Sequence, residues 1–215
     1  MKVNITNKVR PILVAVSIMS LILFLPKGKN ASAFDIMDAV ADAASIGSAY
    51  MTHLFFHEMG HQIVADEVGV ESHQMKFFTS FEGSFYPGVS IHTNIPKASK
   101  LSHAAGGERM AGHTFEFALQ SYRRNPTTFN KALMFFSNVD FFTYTLMANY
   151  IHPDRDTYDA NIIRNETGVS KELLLSLVTT KMLLNAYRIW NEDANFVPFV
   201  QVDRTSASLM IRFDF

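Results

Sequence analysis

Hydrophobic residues fall along this chain in long runs with helical spacing and in shorter aromatic stretches. Residues 34–68 are rich in alanine and other apolar residues, and Gly69 follows them directly. Residues 72–94 differ, because they are aromatic and β-branched and contain two glycine-bearing turn pairs. We therefore expect one long helix that ends near Gly69, followed by two or three short strands joined by turns.

The second half of the chain is predicted to be mainly helical and to end in a hairpin. Periodicity predicts four further helices, at residues 102–123, 128–151, 159–167 and 171–190. We expect Gly106-Gly107 to interrupt the start of the first, Gly168 to end the third and Ser170 to cap the last. The segments flanking Thr205-Ser206 are typical of paired strands. The predicted fold is mainly α with small β-hairpins (α+β), a helical bundle followed by a C-terminal β-hairpin.

The first 33 residues have the organisation of a leader. Three basic residues lie within the first ten, an uncharged apolar stretch covers residues 11–26, and small residues stand at 31–33. This order is typical of a secretory signal peptide, and an uncleaved membrane anchor is the alternative. We therefore expect residues 1–33 to be a signal peptide or membrane anchor and residues 34–215 to form the domain. The expected location is the cell envelope, periplasmic or associated with the inner membrane.

Composition narrows the classes of function. Hydrophobic residues make up 48% of the chain, including 19 phenylalanines, which is enough for a sizeable core. The formal net charge of -1 shows no basic bias, so nucleic acid is not an expected partner. The chain has no cysteine, which excludes disulfides, thiolate metal ligands and cysteine nucleophiles.

Two histidines lie four residues apart on the first predicted helix, with a glutamate beside the first. Residues i and i+4 share one face of a helix, so His57 and His61 can direct two imidazoles at one metal ion. Glu58 then lies close enough to take a proton from a water molecule bound there. This is the H-E-x-x-H pattern of zinc peptidases, and Gly60 within it leaves room for close approach of a neighbouring backbone.

The plainer alternative is a buried histidine pair that hydrogen-bonds to the glutamate without a metal. The apolar surroundings of the motif argue against it, because buried ionisable groups are costly unless they are paired or liganded. His53 lies one turn earlier, too far along the axis to join the same ion. We expect it to be a residue that supports the ligands or lies at the surface.

A third protein ligand is expected, because catalytic zinc normally has three. No histidine follows at the metzincin spacing, where this chain has Val64 and Glu67. The third ligand should therefore be a carboxylate from elsewhere. Three candidates stand out, namely Glu108, Asp140 and Asp159. Each has an alternative role. Glu108 could be a first-turn glutamate that the helix dipole favours, Asp140 a buried hydrogen-bonding residue and Asp159 a helix N-cap.

The order of these features resembles the site-2 protease family of zinc metallopeptidases. His57-Glu58-Met59-Gly60-His61 on an apolar helix precedes a hairpin segment, the stretch AAGGERMAG and a long apolar helix. That family takes its third ligand from an aspartate at the start of a later helix, after a proline-containing loop. Asn149, Pro153 and Asp159 follow in that order here, each gap one residue longer. The resemblance thus implies Asp159 as the third ligand, ahead of Asp140 and Glu108.

The expected function is a zinc-dependent metallopeptidase, exported or membrane-associated, that uses Glu58 as general base. Its partner would be a protein or peptide substrate, held as an added strand by the hairpin at residues 72–94. His92 and His113 are weaker candidates for stabilising an oxyanion. The alternatives are a non-catalytic metal-binding protein and an envelope structural protein that keeps the histidine helix.

Overall fold

The structure is a computed structural model that describes residues 36–70, 73–81 and 84–213. Its five α-helices are α1 (Ile36–Glu67), α2 (Lys100–Arg124), α3 (Thr128–Leu146), α4 (Asp159–Thr167) and α5 (Lys171–Trp190). Its four strands are β1 (His73–Phe81), β2 (Ser84–His92), β3 (Phe196–Asp203) and β4 (Ser206–Phe213). The predicted α+β class with a C-terminal hairpin is confirmed. The leader predicted at residues 1–33 lies outside the described residues.

Local signals in the sequence fix most helix ends. Gly69 and Gly168 adopt φ values of 74° and 72° after α1 and α4, a left-handed conformation in which glycine meets no steric penalty. Ser170 caps α5, because its side chain accepts a hydrogen bond from the backbone N–H of Leu173. Thr127 caps α3 in the same way, through the N–H of Asn130. The predictions for Gly69, Gly168 and Ser170 are therefore confirmed.

Two predicted helices differ in detail from the structure. The helix expected at residues 128–151 is α-helical only as far as Leu146 and continues as the π-helix Met147–Ile151. Gly106 and Gly107 do not interrupt α2, which runs unbroken through both. That expectation was wrong because both glycines are buried against α1, and packing there outweighs their low helix propensity.

The strands form two separate antiparallel pairs. β1 pairs with β2 in the register His73↔His92, and β3 pairs with β4 in the register Phe196↔Phe213. The segment at residues 72–94 therefore forms two strands. Within the described residues, no helix combines the length and apolar composition that crossing a membrane requires.

Two hydrophobic clusters hold the helices together. One joins α3, α4 and α5 through buried residues that include Phe141, Phe142, Leu146, Ile163 and Leu174. The other joins α1, α2 and α3 through Ala49, Phe115, Leu119 and Leu133. Each fully buried large side chain of this kind stabilises the fold by about 1.5–3 kcal/mol. The clusters fix α1, α2 and α4 relative to one another, and these helices carry the conspicuous titratable residues.

Helices α1 and α2 touch through their backbones. A Cβ atom added to Gly60 would lie 2.3 Å from the carbonyl oxygen of Gly106, and one added to Gly106 would lie 2.5 Å from that of Gly60. Both distances are far below van der Waals contact, so neither position tolerates a side chain without separating the helices. The close approach expected at Gly60 is provided by this neighbouring helix.

We predict that Gly60→Ala lowers the free energy of unfolding by about 1–3 kcal/mol, the usual effect of overpacking. Gly47→Ala is the matched control on the same helix, because a Cβ there meets nothing within 4 Å. It should raise stability by up to about 1 kcal/mol through helix propensity. Urea denaturation followed by circular dichroism measures both, and equal effects of the two substitutions would contradict the close helix contact.

Candidate metal centre

Helix α1 places His57 and His61 one turn apart with their rings facing the same point. Their Nε2 atoms are 3.3 Å apart and their ring centroids 5.1 Å apart. Both side chains are buried, with 5% and 4% of their surface exposed. The expected geometry of the histidine pair is therefore present, and it lies inside the protein between α1, α2 and α4.

Asp159 joins the histidine pair from the first turn of α4. Its Oδ2 atom lies 3.2 Å from Nε2 of His61 and 3.7 Å from Nε2 of His57. Burial acts to raise the pKa of Asp159, but the neighbouring charges and hydrogen bonds of His61 and His57 hold it well below its usual value. The carboxylate is thus ionised and points at both imidazoles.

The three donor atoms fit a single metal ion. At metal–ligand distances of about 2.0–2.1 Å, tetrahedral ligand atoms lie about 3.3 Å from one another. The separations here are 3.2, 3.3 and 3.7 Å. Among the residues that the structure describes, His57, His61 and Asp159 form the one group of three such side chains with this proximity. The group can bind a metal ion.

Hydrogen bonds to the opposite ring nitrogens orient both imidazoles. Nδ1 of His61 lies 2.8 Å from the backbone carbonyl oxygen of His103, which can only accept, so this nitrogen carries the hydrogen. Nδ1 of His57 donates in the same way to Oδ2 of Asp140, also at 2.8 Å. Burial acts to lower the pKa of both imidazoles, but Asp140 beside His57 and Asp159 beside His61 raise it, so a proton occupies Nε2 where no ion is bound. An ion would replace that proton and coordinate the Nε2 lone pair of each neutral ring.

Asp140 hydrogen-bonds to the histidines and is not one of the three donor residues. Its Oδ1 accepts a hydrogen bond from Nε2 of His53 at 3.0 Å, while Oδ2 serves His57. Burial acts to raise the pKa of this carboxyl, but the charges and hydrogen bonds of the two histidines hold it far below its usual range. His53 is buried and acts through Asp140, one of the two roles expected for it.

Glu108, the remaining carboxylate candidate, is engaged elsewhere. It forms a buried ion pair with Lys181 of α5. Burial raises the pKa of Glu108, and the charge of Lys181 opposes that shift. The structure therefore brings Asp159 to the histidine pair and leaves Glu108 outside the donor group.

Glu58 is buried beside the histidines, with 5% of its surface exposed, and strand β2 covers it. A Cβ atom added to Gly88 of β2 would lie 2.9 Å from Oε1 of Glu58. Burial raises the pKa of Glu58, although the positive charges of His57 and His61 oppose the shift. A carboxylate with an elevated pKa is a more effective proton acceptor near neutral pH.

Gly107 of α2 faces the donor atoms directly. A Cβ atom there would lie 2.5 Å from Nε2 of His57 and 2.6 Å from Nε2 of His61. Any larger residue would therefore occupy the space that an ion bound to both Nε2 atoms would need. The sequence interpretation missed this role, although a Gly-Gly pair inside a helical stretch was a signal that something approaches closely.

Further aromatic and histidine side chains surround the centre. The ring of Tyr144 lies 5.8 Å from that of His57, and burial, with added repulsion from Asp159, raises the pKa of its hydroxyl well above its usual value. The ring of His103 lies 4.9 Å from that of His61 and 4.2 Å from that of His92. Burial, together with the charges of these two histidines, lowers the pKa of His103 to about 3.

The two histidines considered for an oxyanion role have different positions. His92 reaches the neighbourhood of the centre through His103, whereas His113 is exposed farther along α2. Tyr144, which was not considered for this role, lies beside His57 and carries a neutral hydroxyl. Sequence spacing gave no means of recognising it, since α3 meets α1 only in the folded chain.

Comparisons with protein families, with curated proteins and with solved structures found no match for this chain. The resemblance to site-2 proteases is therefore still an expectation, carried by the motif and by the order of elements.

We predict that Gly107→Ala abolishes stoichiometric zinc binding, because the added methyl group occupies the space between the two Nε2 atoms. Gly112→Ala is the matched control on the same helix, since a Cβ there meets nothing within 4 Å. Isothermal titration calorimetry, in which zinc is added to each apoprotein, measures the zinc affinity of both variants. Equal zinc affinity in the two would show that the ion does not lie against Gly107.

We predict that Asp140→Asn weakens zinc binding by about 10- to 100-fold, the usual effect of removing a partner that orients a ligand. The asparagine keeps the shape but removes the charge that His57 and His53 face. Asp193→Asn, at an exposed position, is the control for the change in net charge. Competition with a chromogenic chelator gives both affinities, and an unchanged value for Asp140→Asn would exclude the supporting role.

Proposed function

We propose that this protein is a zinc-dependent metallopeptidase that hydrolyses peptide bonds. The observation that carries the proposal is the convergence of His57, His61 and Asp159 on one point, with Glu58 buried beside them. A metal store needs the three ligands but has no need of a fourth, uncoordinated carboxylate with a raised pKa. Hydrolysis needs that carboxylate as a proton carrier.

Zinc is the metal that this donor set suits best. Two imidazole nitrogens and one carboxylate oxygen are the ligands of many catalytic zinc sites, which keep a fourth position for water. Cysteine ligands, which mark structural zinc sites, are absent from the chain. When bound, zinc lowers the pKa of a coordinated water and polarises the scissile carbonyl.

The protein residues contribute positioning and proton transfer. Asp140 and the His103 carbonyl hold the two imidazoles in the tautomer that leaves Nε2 free. Glu58 accepts the proton of the attacking water on its carboxylate and later gives it to the leaving amine. The neutral hydroxyl of Tyr144 is a donor available to developing negative charge on the substrate oxygen.

Strand β2 lies where a bound peptide substrate would be close to Glu58. It pairs with β1 along one edge, and its Gly88 backbone lies against the Glu58 carboxylate. An extended peptide that adds to this hairpin as a further strand would run past the proton carrier, as in other β-augmentation complexes. The proposed partner is thus a protein or peptide segment in extended conformation.

Exposed apolar residues on α1 are consistent with association of the protein with the cell envelope. Val40, Met51 and Phe55 are exposed, and their spacing of eleven and four residues places them on one face of that helix. With the apolar stretch at residues 11–26, they support an exported or membrane-associated location for the enzyme.

The decisive variant is Glu58→Gln, which we predict retains zinc but loses about 10²- to 10⁴-fold in cleavage rate. Glu67→Gln is the control, an exposed glutamate near the end of the same helix. Cleavage is measured on casein and on peptides embedded in lipid, and zinc by atomic absorption.

The outcomes separate the proposal from its alternatives. Equal cleavage by wild type and Glu58→Gln would exclude the peptidase mechanism. One zinc per chain with cleavage in neither protein would favour a non-catalytic metal-binding protein. Absence of zinc from wild type and from His57→Ala alike would favour a structural role in the envelope.

A further inference from the structure

The C-terminal strand β4 is an edge strand that is exposed on both faces. Within the described residues it pairs only with β3, and β3 in turn packs against α2 and α5. The last four residues of β4 are all exposed. They include Met210 and Ile211, which point to opposite faces of the hairpin and are 42% and 44% exposed. The end of β4 therefore presents both apolar side chains and a strand edge at the surface.

Helix α5 extends this apolar surface. Leu183, Tyr187 and Trp190 are 54%, 51% and 53% exposed, and spacings of four and three residues place them on one face of the helix. The ring of Phe196 connects them to β4, because its centroid lies 6.3 Å from that of Tyr187 and 6.5 Å from that of Phe213. The α5–β4 surface consists of five exposed residues, namely Leu183, Tyr187, Trp190, Ile211 and Phe213.

The α5–β4 surface has the extent of a dimer interface. Half-exposed side chains of this size offer about 100 Å² each, so the five present on the order of 500 Å² of mostly apolar area. A standard interface takes about 800 Å² from each partner, a little over half of it apolar. The composition also fits, because aromatic residues are enriched and charged residues depleted at the centre of such interfaces.

We propose that two copies of this chain associate across a two-fold axis, with their β4 strands paired antiparallel and their α5–β4 surfaces in contact. The two hairpins then form one four-stranded sheet, which is more stable than an isolated pair of strands. An axis perpendicular to that sheet places both α5 helices on the same face of it. With Met210 on the axis, Arg212 lies opposite Ser208 of the partner subunit, so no like charges face each other.

A second copy fits this surface better than a lipid bilayer does. Backbone groups at the edge of β4 need hydrogen-bond partners, which lipid tails do not offer. Proteins usually protect such an edge with proline or with several charges, whereas β4 has no proline and one charged residue, Arg212. The formal net charge of -1 gives little repulsion between two identical chains.

The association is independent of the proposed hydrolysis. The α5–β4 surface lies on α5 and β4, whereas the donor group and Glu58 lie on α1 and α4. Association can therefore be measured without zinc and without a substrate, and failure of one proposal does not imply failure of the other.

Sedimentation equilibrium of the full-length chain, over a wide range of concentrations, tests the proposal. We expect a monomer–dimer equilibrium that Phe213→Lys weakens by about tenfold or more, because each dimer would bury two lysines. Phe85→Lys is the matched control, an exposed phenylalanine of the other hairpin, and should associate like wild type. Circular dichroism checks that both variants are folded.

Three outcomes would overturn the proposal. The first is a wild-type chain that stays monomeric at every concentration. The second is equal association of wild type and Phe213→Lys, which would place the contact elsewhere. The third is a monomer that binds phosphatidylcholine vesicles and loses that binding in Phe213→Lys, which would assign the surface to a membrane.

Single cysteines locate the two-fold axis, and they do not depend on how the lysine variants fold. The chain has no cysteine of its own, so Ser208→Cys, Leu209→Cys and Met210→Cys each introduce one thiol. Residues directly opposite in an antiparallel pair have Cα atoms about 4.5–5.5 Å apart, a separation that a disulfide spans. We expect mild oxidation to crosslink at least one of the three about tenfold faster than Phe85→Cys, because pairing raises the effective thiol concentration. Rates no faster than that of Phe85→Cys at all three positions would contradict the strand pairing.

Discussion

The direct backbone contact between α1 and α2 is the constraint on which the rest of this structure depends. Gly60 and Gly106 have no side chains, so the two helices approach more closely than a Cβ atom at either position would allow. That approach brings the next residue, Gly107, against the Nε2 atoms of the histidine pair and brings the His103 carbonyl to His61. A side chain at any of these glycines would move α2 outward, and the candidate metal centre would lose one wall and one hydrogen bond.

Burial of so many titratable groups is the second constraint. Each group would destabilise the fold if it were alone, because the low dielectric of the interior disfavours charge. The protein compensates by pairing, since Asp140 faces two histidines, Asp159 faces two imidazoles and Glu108 faces Lys181. Some buried groups remain incompletely matched, among them Glu58 with its raised pKa and Oε2 of Glu108. Sites of this kind are where binding and catalysis are most often found.

Local patterns in the sequence predicted the elements, and tertiary contacts decided the site. The histidine pair was predictable because i and i+4 positions share a helix face in any helix, and Gly168 and Ser170 mark helix ends through their own chemistry. Asp159 was ranked first only through a family resemblance, because nothing local brings α4 to α1. The sequence offered a buried hydrogen bond as the alternative role of Asp140, and the Gly-Gly pair indicated a close approach. It did not identify the histidine partners of Asp140, the donor atoms facing Gly107 or the role of the His103 carbonyl, since each depends on how separate helices pack. The π-helical end of α3 likewise left no recognisable mark on the hydrophobic pattern.

X-ray absorption at the zinc edge, on purified protein with one equivalent of zinc, tests the central claim most directly. The geometry predicts a first shell of four light atoms at about 2.0–2.2 Å, with the outer-shell scattering of two imidazole rings. Replacement of Asp159 by alanine should remove one oxygen and leave both imidazoles in place. A shell without imidazole scattering, or one that is unchanged in a His57→Ala, His61→Ala double variant, would contradict the account.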